Sequence, residues 1–291
     1  MEKVIIIGAG PAGISAALYA VRGNLDPLVI NNGIGALEKA EKIENYYGLE
    51  HPLSGQELYD TGIAQAKALG VRMLDAQVLG VGGFDNFVVK TTEGEFETQS
   101  LILATGSKRA APKIPGIKEF EGRGVSYCAI CDAFFYRGKD VAVLGNGDFA
   151  MHEAKELANT ASTVTIYTNG EEPEFTLEGN ISVNTMKIQS VEGDELVSGI
   201  RLAPDMQAQE TDSDTEKAVG EFCHADGLFI AMGTAGSTEI ARQMGAELTE
   251  KGNILVNENM ETTIPGLYAA GDCTGGLLQV AKAVCDGAQA G

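Results

Sequence analysis

Two cysteines separated by two residues, Cys128 and Cys131, are the part of this sequence best suited to chemistry, and Asp132 follows them directly. Cysteines at this spacing can close and open a small disulfide ring, and an adjacent carboxylate can move a proton while they do so. The same spacing could supply half of a zinc site, but no second ligand pair occurs at partner spacing. A structural pair formed by chance is the other alternative. We predict a redox pair and no metal site.

Composition and charge limit the classes of protein to which the chain can belong. Its 291 residues suit two domains, and 44% hydrophobic residues with 37 glycines indicate a globular α/β protein. No secretion signal or membrane-spanning run is evident, so we expect a soluble, cytoplasmic protein without a framework of structural disulfides. The net charge of -20 disfavours nucleic acid and anionic membrane surfaces as partners.

A glycine-rich turn near the start predicts a dinucleotide site. The buried-strand run Val4–Ile7 leads into Gly8-Ala9-Gly10-Pro11-Ala12-Gly13, and a helical pattern follows. In this motif Gly8 permits the tight turn, Gly10 lets the backbone approach a pyrophosphate, and Gly13 lets helix and strand pack closely. The second strand ends at Asn31, where an acidic residue usually holds the ribose. A glycine turn without a ligand therefore stays open as an alternative.

A second strand, glycine turn and helix pattern begins at Asp140 and contains Gly145–Ala150. Further strands end at Gly106, at Gly233 and at Gly271-Asp272, and a final helix is predicted from Gly275. The sequence thus predicts an α/β fold of two Rossmann-like, three-layer ββα dinucleotide-binding domains, the second inserted in the first. The first domain comprises residues 1–111 and 238–291, and the second comprises residues 112–237. The predicted linkers are Pro112–Gly116 and Met232–Ser237.

These motifs, in this order, make the chain resemble the low-molecular-weight flavin thioredoxin reductases. The most specific mark is the Cys128–Asp132 run inside the second domain, because related flavoproteins carry their redox cysteines in the first. The resemblance implies FAD as cofactor in the first domain. The implied cofactor-binding residues are Gly8, Gly10, Pro11, Ala12, Gly13, Asn45, Ala104, Thr105, Gly106, Gly271, Asp272 and Gln279.

The resemblance also implies a catalytic sequence and an assembly. Cys128 and Cys131 would pass electrons from reduced flavin to a thioredoxin disulfide, with Asp132 as acid and base. A homodimer is expected from the resemblance alone.

The chain departs from the family pattern where NADPH would bind. Family members that use NADPH have a small, uncharged residue in the second glycine turn and arginines after the following strand. Here Asp148 occupies the turn, and residues 168–174 contain three glutamates and no arginine. A carboxylate about 4 Å from a phosphate costs roughly 1–4 kcal/mol, which weakens binding between about fivefold and a thousandfold. We therefore expect no NADPH binding.

Among its relatives the chain is most similar to the ferredoxin-dependent flavin thioredoxin reductases, which have lost these motifs. We expect reduced ferredoxin as electron donor, docking on the basic stretch from Lys108 to Lys139, although a solvated mixed surface would explain that stretch too. Three alternatives stay open: an NADH enzyme in which Glu171 holds the ribose, an FAD-dependent dithiol oxidase that uses oxygen, and a non-catalytic flavin sensor.

Overall fold

The computed structural model describes residues 1–83, 85–106, 112–127, 129–204, 220–233 and 236–291. The chain forms two compact units. Unit 1 comprises Met1–Arg109 and Ala235–Gly291, and unit 2 comprises Ala110–Thr234. Cys128 and the side chain of Cys131 lie outside the described part of the chain, as do Lys108 and Arg109 of the basic stretch.

The elements follow one another along the chain as strands, helices and short 3-10 turns. The first stretch of unit 1 contains β1 (Glu2–Ile7), α1 (Pro11–Arg22), β2 (Leu28–Asn31), α2 (Gly55–Ala68), β3 (Arg72–Asp75), β4 (Val78–Gly82), β5 (Phe87–Thr91) and β6 (Gly94–Leu103). Unit 2 contains β7 (Val125–Ser126), α3 (Ala129–Asp132), β8 (Asp140–Leu144), α4 (Asp148–Ala158), β9 (Thr163–Tyr167), β10 (Ser182–Asn184), β11 (Ile188–Gly193), β12 (Val197–Leu202), β13 (Phe222–His224) and β14 (Gly227–Ile230). Unit 1 resumes with α5 (Ser237–Gln243), β15 (Leu267–Ala269) and α6 (Val280–Ala290).

Unit 1 is built on a sheet whose order is β3-β2-β1-β6-β5-β4, with β15 also pairing with β6. β1, β2, β3, β6 and β15 run parallel, whereas β4, β5 and β6 form an antiparallel meander. A tight turn before Gly94 joins β5 to β6. Ile5 and Ile6 are fully buried in β1, and α1 packs its alanines on the sheet, which places the glycine turn at the carboxyl edge.

Unit 2 repeats the doubly wound pattern. Its parallel sheet has the order β10-β9-β8-β14-β7, and a separate antiparallel sheet has the order β11-β12-β13. Each unit has its own buried apolar cluster. The predicted α/β class with two dinucleotide-binding folds is therefore confirmed. Among the described residues, no helix combines the length and the apolar composition needed to cross a bilayer.

Three predicted boundaries differ from the structure. The last helix begins at Val280 instead of Gly275, because Gly275 and Gly276 both have φ of +78°, which cannot continue a right-handed helix. The predicted linker Pro112–Gly116 is partly packed in unit 2. The carbonyl oxygen of Pro115 accepts a hydrogen bond from the Val191 amide at 2.8 Å, and the Cα of Gly116 lies close to the same residue.

The second predicted linker, Met232–Ser237, also ends too late. Ser237 already belongs to α5, and it is 2% exposed. Thr234 and Ala235 lie outside the described residues.

Candidate functional site

The glycine turn between β1 and α1 is formed by close backbone contacts that exclude side chains. A Cβ on Gly13 would lie 1.8 Å from the Gly8 carbonyl oxygen, and a Cβ on Gly8 would lie 2.4 Å from the Ala104 carbonyl oxygen. Gly8 also has φ of +107°, a conformation that favours glycine. Gly10, in contrast, faces open space, with no atom within 4 Å of a Cβ placed there. Two glycines thus close the turn, and the third leaves room for a ligand.

The open side of the turn suits a diphosphate. Gly10 is the N-cap residue of α1 without a side-chain cap, and Pro11 occupies the first helical position. The first amides of a helix have no partners within the helix, so those of Ala12 and Gly13 are available to an anion. A Cβ on Gly271 would lie 2.9 Å from the Ala12 Cβ, which places the second glycine motif against the first. These residues fit the diphosphate and ribityl chain of FAD.

A buried ion pair that the sequence analysis missed supports the Gly271-Asp272 loop. Asp286 is 8% exposed and accepts a hydrogen bond from the Gly271 amide at 3.1 Å. Lys282 lies 2.6 Å from Asp286 and donates to the Gly271 carbonyl oxygen at 2.8 Å and to Thr274 Oγ1 at 2.7 Å. Both backbone groups of Gly271 are thereby held.

Asp272 begins a 3-10 turn, Asp272–Thr274, at the end of this loop. Burial raises the pKa of its carboxyl group, while the nearby Lys282 opposes the rise. Cys273 is buried, and burial raises the pKa of its thiol to about 12, so it stays neutral.

Asn45 and Gln279 meet although 234 positions separate them in the chain. The Asn45 amide donates to Gln279 Oε1 at 2.9 Å, and Gln279 is the N-cap residue of α6. Both residues lie outside the helices and strands of unit 1. The structure therefore brings together two residues that the resemblance alone had grouped.

Thr105 is tied to Ser237 by reciprocal hydrogen bonds. Ser237 Oγ accepts from the Thr105 amide at 3.1 Å, and Thr105 Oγ1 accepts from the Ser237 amide at 2.8 Å. Gly106 follows with φ of +84°. This contact joins the end of β6 to the start of α5, and the sequence carried no local signal for it.

Asn31, which replaces the usual acidic residue, has both ends of its amide engaged. It donates to Asp75 Oδ1 at 2.7 Å and accepts from the Tyr59 hydroxyl at 2.8 Å. These three residues line a cavity of about 360 Å³ at the carboxyl edge of β2 and β3. The carboxylate at this edge is therefore that of Asp75 on β3, whereas the usual acidic residue would stand at the end of β2.

In unit 2, two carboxylates accept hydrogen bonds from residues beside the cysteine pair. Asp132 Oδ2 accepts a hydrogen bond from the Ser126 hydroxyl at 2.6 Å. Glu153 on α4 accepts one from the Ala129 amide, also at 2.6 Å. The prediction of a disulfide between Cys128 and Cys131 falls on side chains outside the described residues, whereas Asp132 stands next to them on α3.

Two aromatic side chains directly after the cysteine motif are exposed. Phe134 is 71% exposed and Phe135 is 68% exposed, in a 3-10 turn, Ala133–Tyr136. Their ring centroids are 6.2 Å apart, and the Arg137 guanidinium lies 5.5 Å from the Phe134 centroid. An exposed apolar pair with an adjacent cation is typical of a protein-binding surface. We call Phe134, Phe135 and Arg137 the aromatic patch.

The second glycine turn has the right backbone and the wrong surroundings for a nucleotide. A Cβ on Gly145 would lie 2.2 Å from the Ala231 carbonyl oxygen, so the turn packs as tightly as the first. However, the Asn146 carbonyl oxygen accepts a hydrogen bond from the Glu174 amide at 2.7 Å, and Asp148 is the first residue of α4.

The segment between β9 and β10 crosses this turn without forming a helix. Glu178 in that segment pairs with Lys155 of α4, and Glu171 and Glu172 are exposed. The structure describes every residue of this segment, which contains only turns and irregular structure. Where a nucleotide-binding domain would have a basic pocket for phosphate, this unit therefore has carboxylates and a segment hydrogen-bonded to the glycine turn.

The basic stretch is exposed where the structure describes it. Arg123 lies over the Phe120 ring and donates to the Glu119 carbonyl oxygen at 2.6 Å, and Lys139 lies over the Tyr136 ring. Lys113, Lys118 and Arg137 are also exposed.

Elsewhere in the described part of unit 2, three residues of types that commonly bind metal ions lie close together. Asp140, His224 and Asp226 each place a possible ligand atom within 4.8 Å of the others. The carboxylates already accept protein hydrogen bonds: Asp226 from the Asp140 amide at 3.0 Å, and Asp140 from the Thr163 hydroxyl at 2.6 Å. Packing of β8 against its neighbours accounts for the group.

Comparison with known proteins places these features in context. The family model described as pyridine nucleotide-disulphide oxidoreductase matches residues 2–287. The thioredoxin reductase of Aquifex aeolicus is 38% identical over 283 residues, covering 92% of this chain and 84% of that protein. Among solved structures, the atypical thioredoxin reductase TRi from Desulfovibrio vulgaris Hildenborough is 39% identical with a TM-score of 0.88, covering 100% of this chain and 95% of that one. A ferredoxin-flavin thioredoxin reductase from Clostridium acetobutylicum is 30% identical with a TM-score of 0.70, covering 99% of this chain and 94% of that one.

Proposed function

Because the chain belongs to the pyridine nucleotide-disulphide oxidoreductases and, within them, to the thioredoxin reductases, we propose that it reduces thioredoxin with electrons from reduced ferredoxin instead of NADPH. FAD is the cofactor of this family of flavoproteins, as expected from the sequence. When bound, FAD supplies a centre that exchanges electrons singly or in pairs. In unit 1, Gly10 and the first turn of α1 would hold its diphosphate, and Asp272 its ribityl chain.

The observation that carries the donor proposal is the hydrogen bond between the Glu174 amide and the Asn146 carbonyl oxygen. It fixes an acidic segment across the glycine turn on which a pyridine nucleotide would place its pyrophosphate. The salt bridge between Lys155 and Glu178 anchors the same segment to α4. A nucleotide would have to displace this segment before binding.

Charge adds to this obstruction. Asp148 lies in the first turn of α4, where an anion would approach, and Glu171, Glu172 and Glu174 are exposed on the segment above. Each carboxylate about 4 Å from a phosphate costs roughly 1 kcal/mol in water and about 4 kcal/mol at an effective dielectric constant of 20. One such contact weakens binding between about fivefold and a thousandfold. A 2'-phosphate would add a further negative charge.

A small electron-carrier protein avoids this problem because it needs no nucleotide pocket. One of the similar solved structures is a ferredoxin-flavin thioredoxin reductase, which uses the same fold at 30% identity. The exposed cations Lys113, Lys118, Arg123, Arg137 and Lys139 provide positive charge that an acidic carrier requires on a chain of net charge -20.

The thioredoxin step is a thiol–disulfide exchange. One sulfur of the reduced Cys128–Cys131 pair attacks the thioredoxin disulfide and forms a mixed disulfide, which the second sulfur then resolves. Thioredoxin leaves as a dithiol and the pair is again oxidised. Asp132 carries the proton to and from sulfur. The aromatic patch lies directly after the pair, where a protein substrate has to dock.

The proposal is tested by following thioredoxin thiols under anaerobic conditions. Reduced ferredoxin should support their appearance, whereas NADPH and NADH should not exceed the rate without donor. A Cys131→Ser variant, which cannot re-form the disulfide, is the matched control and should be inactive. Thioredoxin reduction by NADPH or NADH alone would overturn the donor assignment. Peroxide formed from a dithiol and oxygen, without thioredoxin reduction, would favour an oxidase.

A further inference from the structure

Glu153 is a buried carboxyl group that the reaction described above does not use. It lies on the inner face of α4 and is 1% exposed, among Ala150, Ala154 and Leu157, which are fully buried. Burying a carboxyl group in apolar surroundings is costly unless partners compensate it. Because α4 packs on α3 and β9, an apolar residue would fit the position of Glu153 as well as a glutamate does.

The contacts of Glu153 point toward the cysteine motif. Its Oε2 accepts the hydrogen bond from the amide of Ala129, the residue that directly follows Cys128. Its Oε1 is buried and has no hydrogen-bond partner among the described residues. One oxygen therefore fixes the backbone between the two cysteines, and the other is left for a group that the described part of the chain does not supply.

We propose that Glu153 is a positioning residue for the redox pair: through Ala129 it fixes the turn between the cysteines, and its charge determines how readily their thiols lose a proton. The inference rests on the proposed function only in taking Cys128 and Cys131 as the reactive pair.

Burial raises the pKa of Glu153 to about 7, so its charge appears in the range in which thiols begin to ionise. On its own helix, Glu156 raises this pKa further. The elements packed against α4 carry Asp132 on α3, Asp140 on β8 and Tyr167 on β9. Asp132 is bonded to Ser126, and among the described charged groups Glu156 is the one whose charge acts on Glu153.

The sign of the effect follows from like-charge repulsion. Above about pH 7 Glu153 is ionised and opposes the formation of a nearby thiolate, whereas below that pH it is neutral and does not. One unit charge near a thiol, at an effective dielectric constant of 20 and with some screening, changes its ionisation equilibrium on the order of tenfold. A Glu153→Gln variant keeps the shape and a hydrogen-bond acceptor but never carries the charge.

The test is the pH dependence of thiol alkylation. The flavin-loaded protein is reduced with dithiothreitol, freed of it and treated with iodoacetamide. Each thiolate then forms a carbon–sulfur bond and releases iodide. Mass spectrometry reads the peptide that contains Cys128 and Cys131, separately from the other three cysteines. We expect E153Q and wild type to react equally below about pH 6, and E153Q to react about tenfold faster near pH 8.

A Glu156→Gln variant is the matched control, because it removes a charge from the same helix without touching Ala129. Its rate should stay within about twofold of wild type below about pH 6 and near pH 8, because loss of the Glu156 charge only lowers the pKa of Glu153 between those limits. A ratio of E153Q to wild type that is the same at all pH values would reduce Glu153 to a structural role and overturn the proposal. Alkylation needs neither ferredoxin nor thioredoxin, so this failure is distinct from failure of the proposed function.

Should E153Q not fold, infrared spectroscopy of the protein with Glu153 intact answers the same question. The carboxylic-acid C=O band of Glu153 should persist to about pH 7 in an Asp132→Asn background and change when dithiothreitol reduces the disulfide. A band that is insensitive to reduction would contradict the proposal.

Discussion

Replacing Lys282 by Met should destabilise unit 1 by about 2–3 kcal/mol and loosen FAD. Loss of one partner from a buried ion pair costs about 3–5 kcal/mol, because the other charge is left uncompensated. The side chains of Lys282 and Asp286 are 21% and 10% exposed, and Asp286 keeps its bond from the Gly271 amide, so the lower part of that range or slightly less applies.

The effect on FAD follows from the same contacts. Lys282 holds the Gly271 carbonyl oxygen at 2.8 Å, next to Asp272. Without this bond the loop has to be ordered by the cofactor itself, and we expect the FAD dissociation constant to rise about tenfold. Urea unfolding followed by circular dichroism gives the stability, and flavin fluorescence on release gives the affinity.

Two controls make this prediction sharp. The exposed Lys251→Met should change stability by less than about 0.5 kcal/mol. The double variant K282M/D286N removes both charges and should recover at least half of the loss caused by K282M. If K282M behaved like K251M, or if the double variant were as unstable as the sum of its parts, the ion pair would not support the loop.

Three further predictions concern other parts of the chain. Replacing both Phe134 and Phe135 by Ala should raise KM for thioredoxin about tenfold or more. Reduction of a small aromatic disulfide should be unchanged, because both rings are largely exposed. An unchanged KM for thioredoxin would show that the aromatic patch does not take part in docking. Gly13→Ala, whose Cβ would lie 1.8 Å from a carbonyl oxygen, should lose more than about 3 kcal/mol of stability, whereas Gly10→Ala should fold normally and bind FAD weakly; equal stability of the two variants would contradict the turn geometry. The folded protein holds a proton on Glu153 up to about pH 7, whereas the unfolded chain releases it near pH 4.5, so this carboxyl group weakens the fold as pH rises between those values. The stability of E153Q relative to wild type, measured by urea unfolding, should therefore increase on the order of 3 kcal/mol between about pH 4 and pH 8. A relative stability that does not change with pH would mean that Glu153 is exposed to water.

Local patterns predicted the parts of the fold that depend on neighbouring residues. A strand over Val4–Ile7, a turn at Gly8 and a helix after the glycine motif were predicted, and the structure has them as one unit, with β1 over Glu2–Ile7 and α1 already beginning at Pro11. Local composition also accounts for the absence of a helix between β9 and β10, because Gly170, Pro173 and Gly179 interrupt this short segment.

Contacts between distant residues could not be predicted in this way. Lys282, Asp286 and Ser237 carry no motif, and their roles depend on where α5 meets the end of β6 and where α6 packs on α1. No sequence pattern distinguishes Glu153 from the other glutamates, because its contact with Ala129 arises only when α4 packs on α3. The start of α6 at Val280 was missed because glycines at 275 and 276 have positive φ, which sequence pattern alone does not specify.

The most direct test of the donor assignment is the reduction of bound flavin by each candidate in the absence of oxygen. The oxidised protein is mixed rapidly with NADPH, with NADH or with reduced ferredoxin, and the visible absorbance of FAD is followed. The acidic segment across the Asn146 turn predicts bleaching by ferredoxin and none by either nucleotide within the same time. Rapid bleaching by NADPH, with ferredoxin inert, would contradict it.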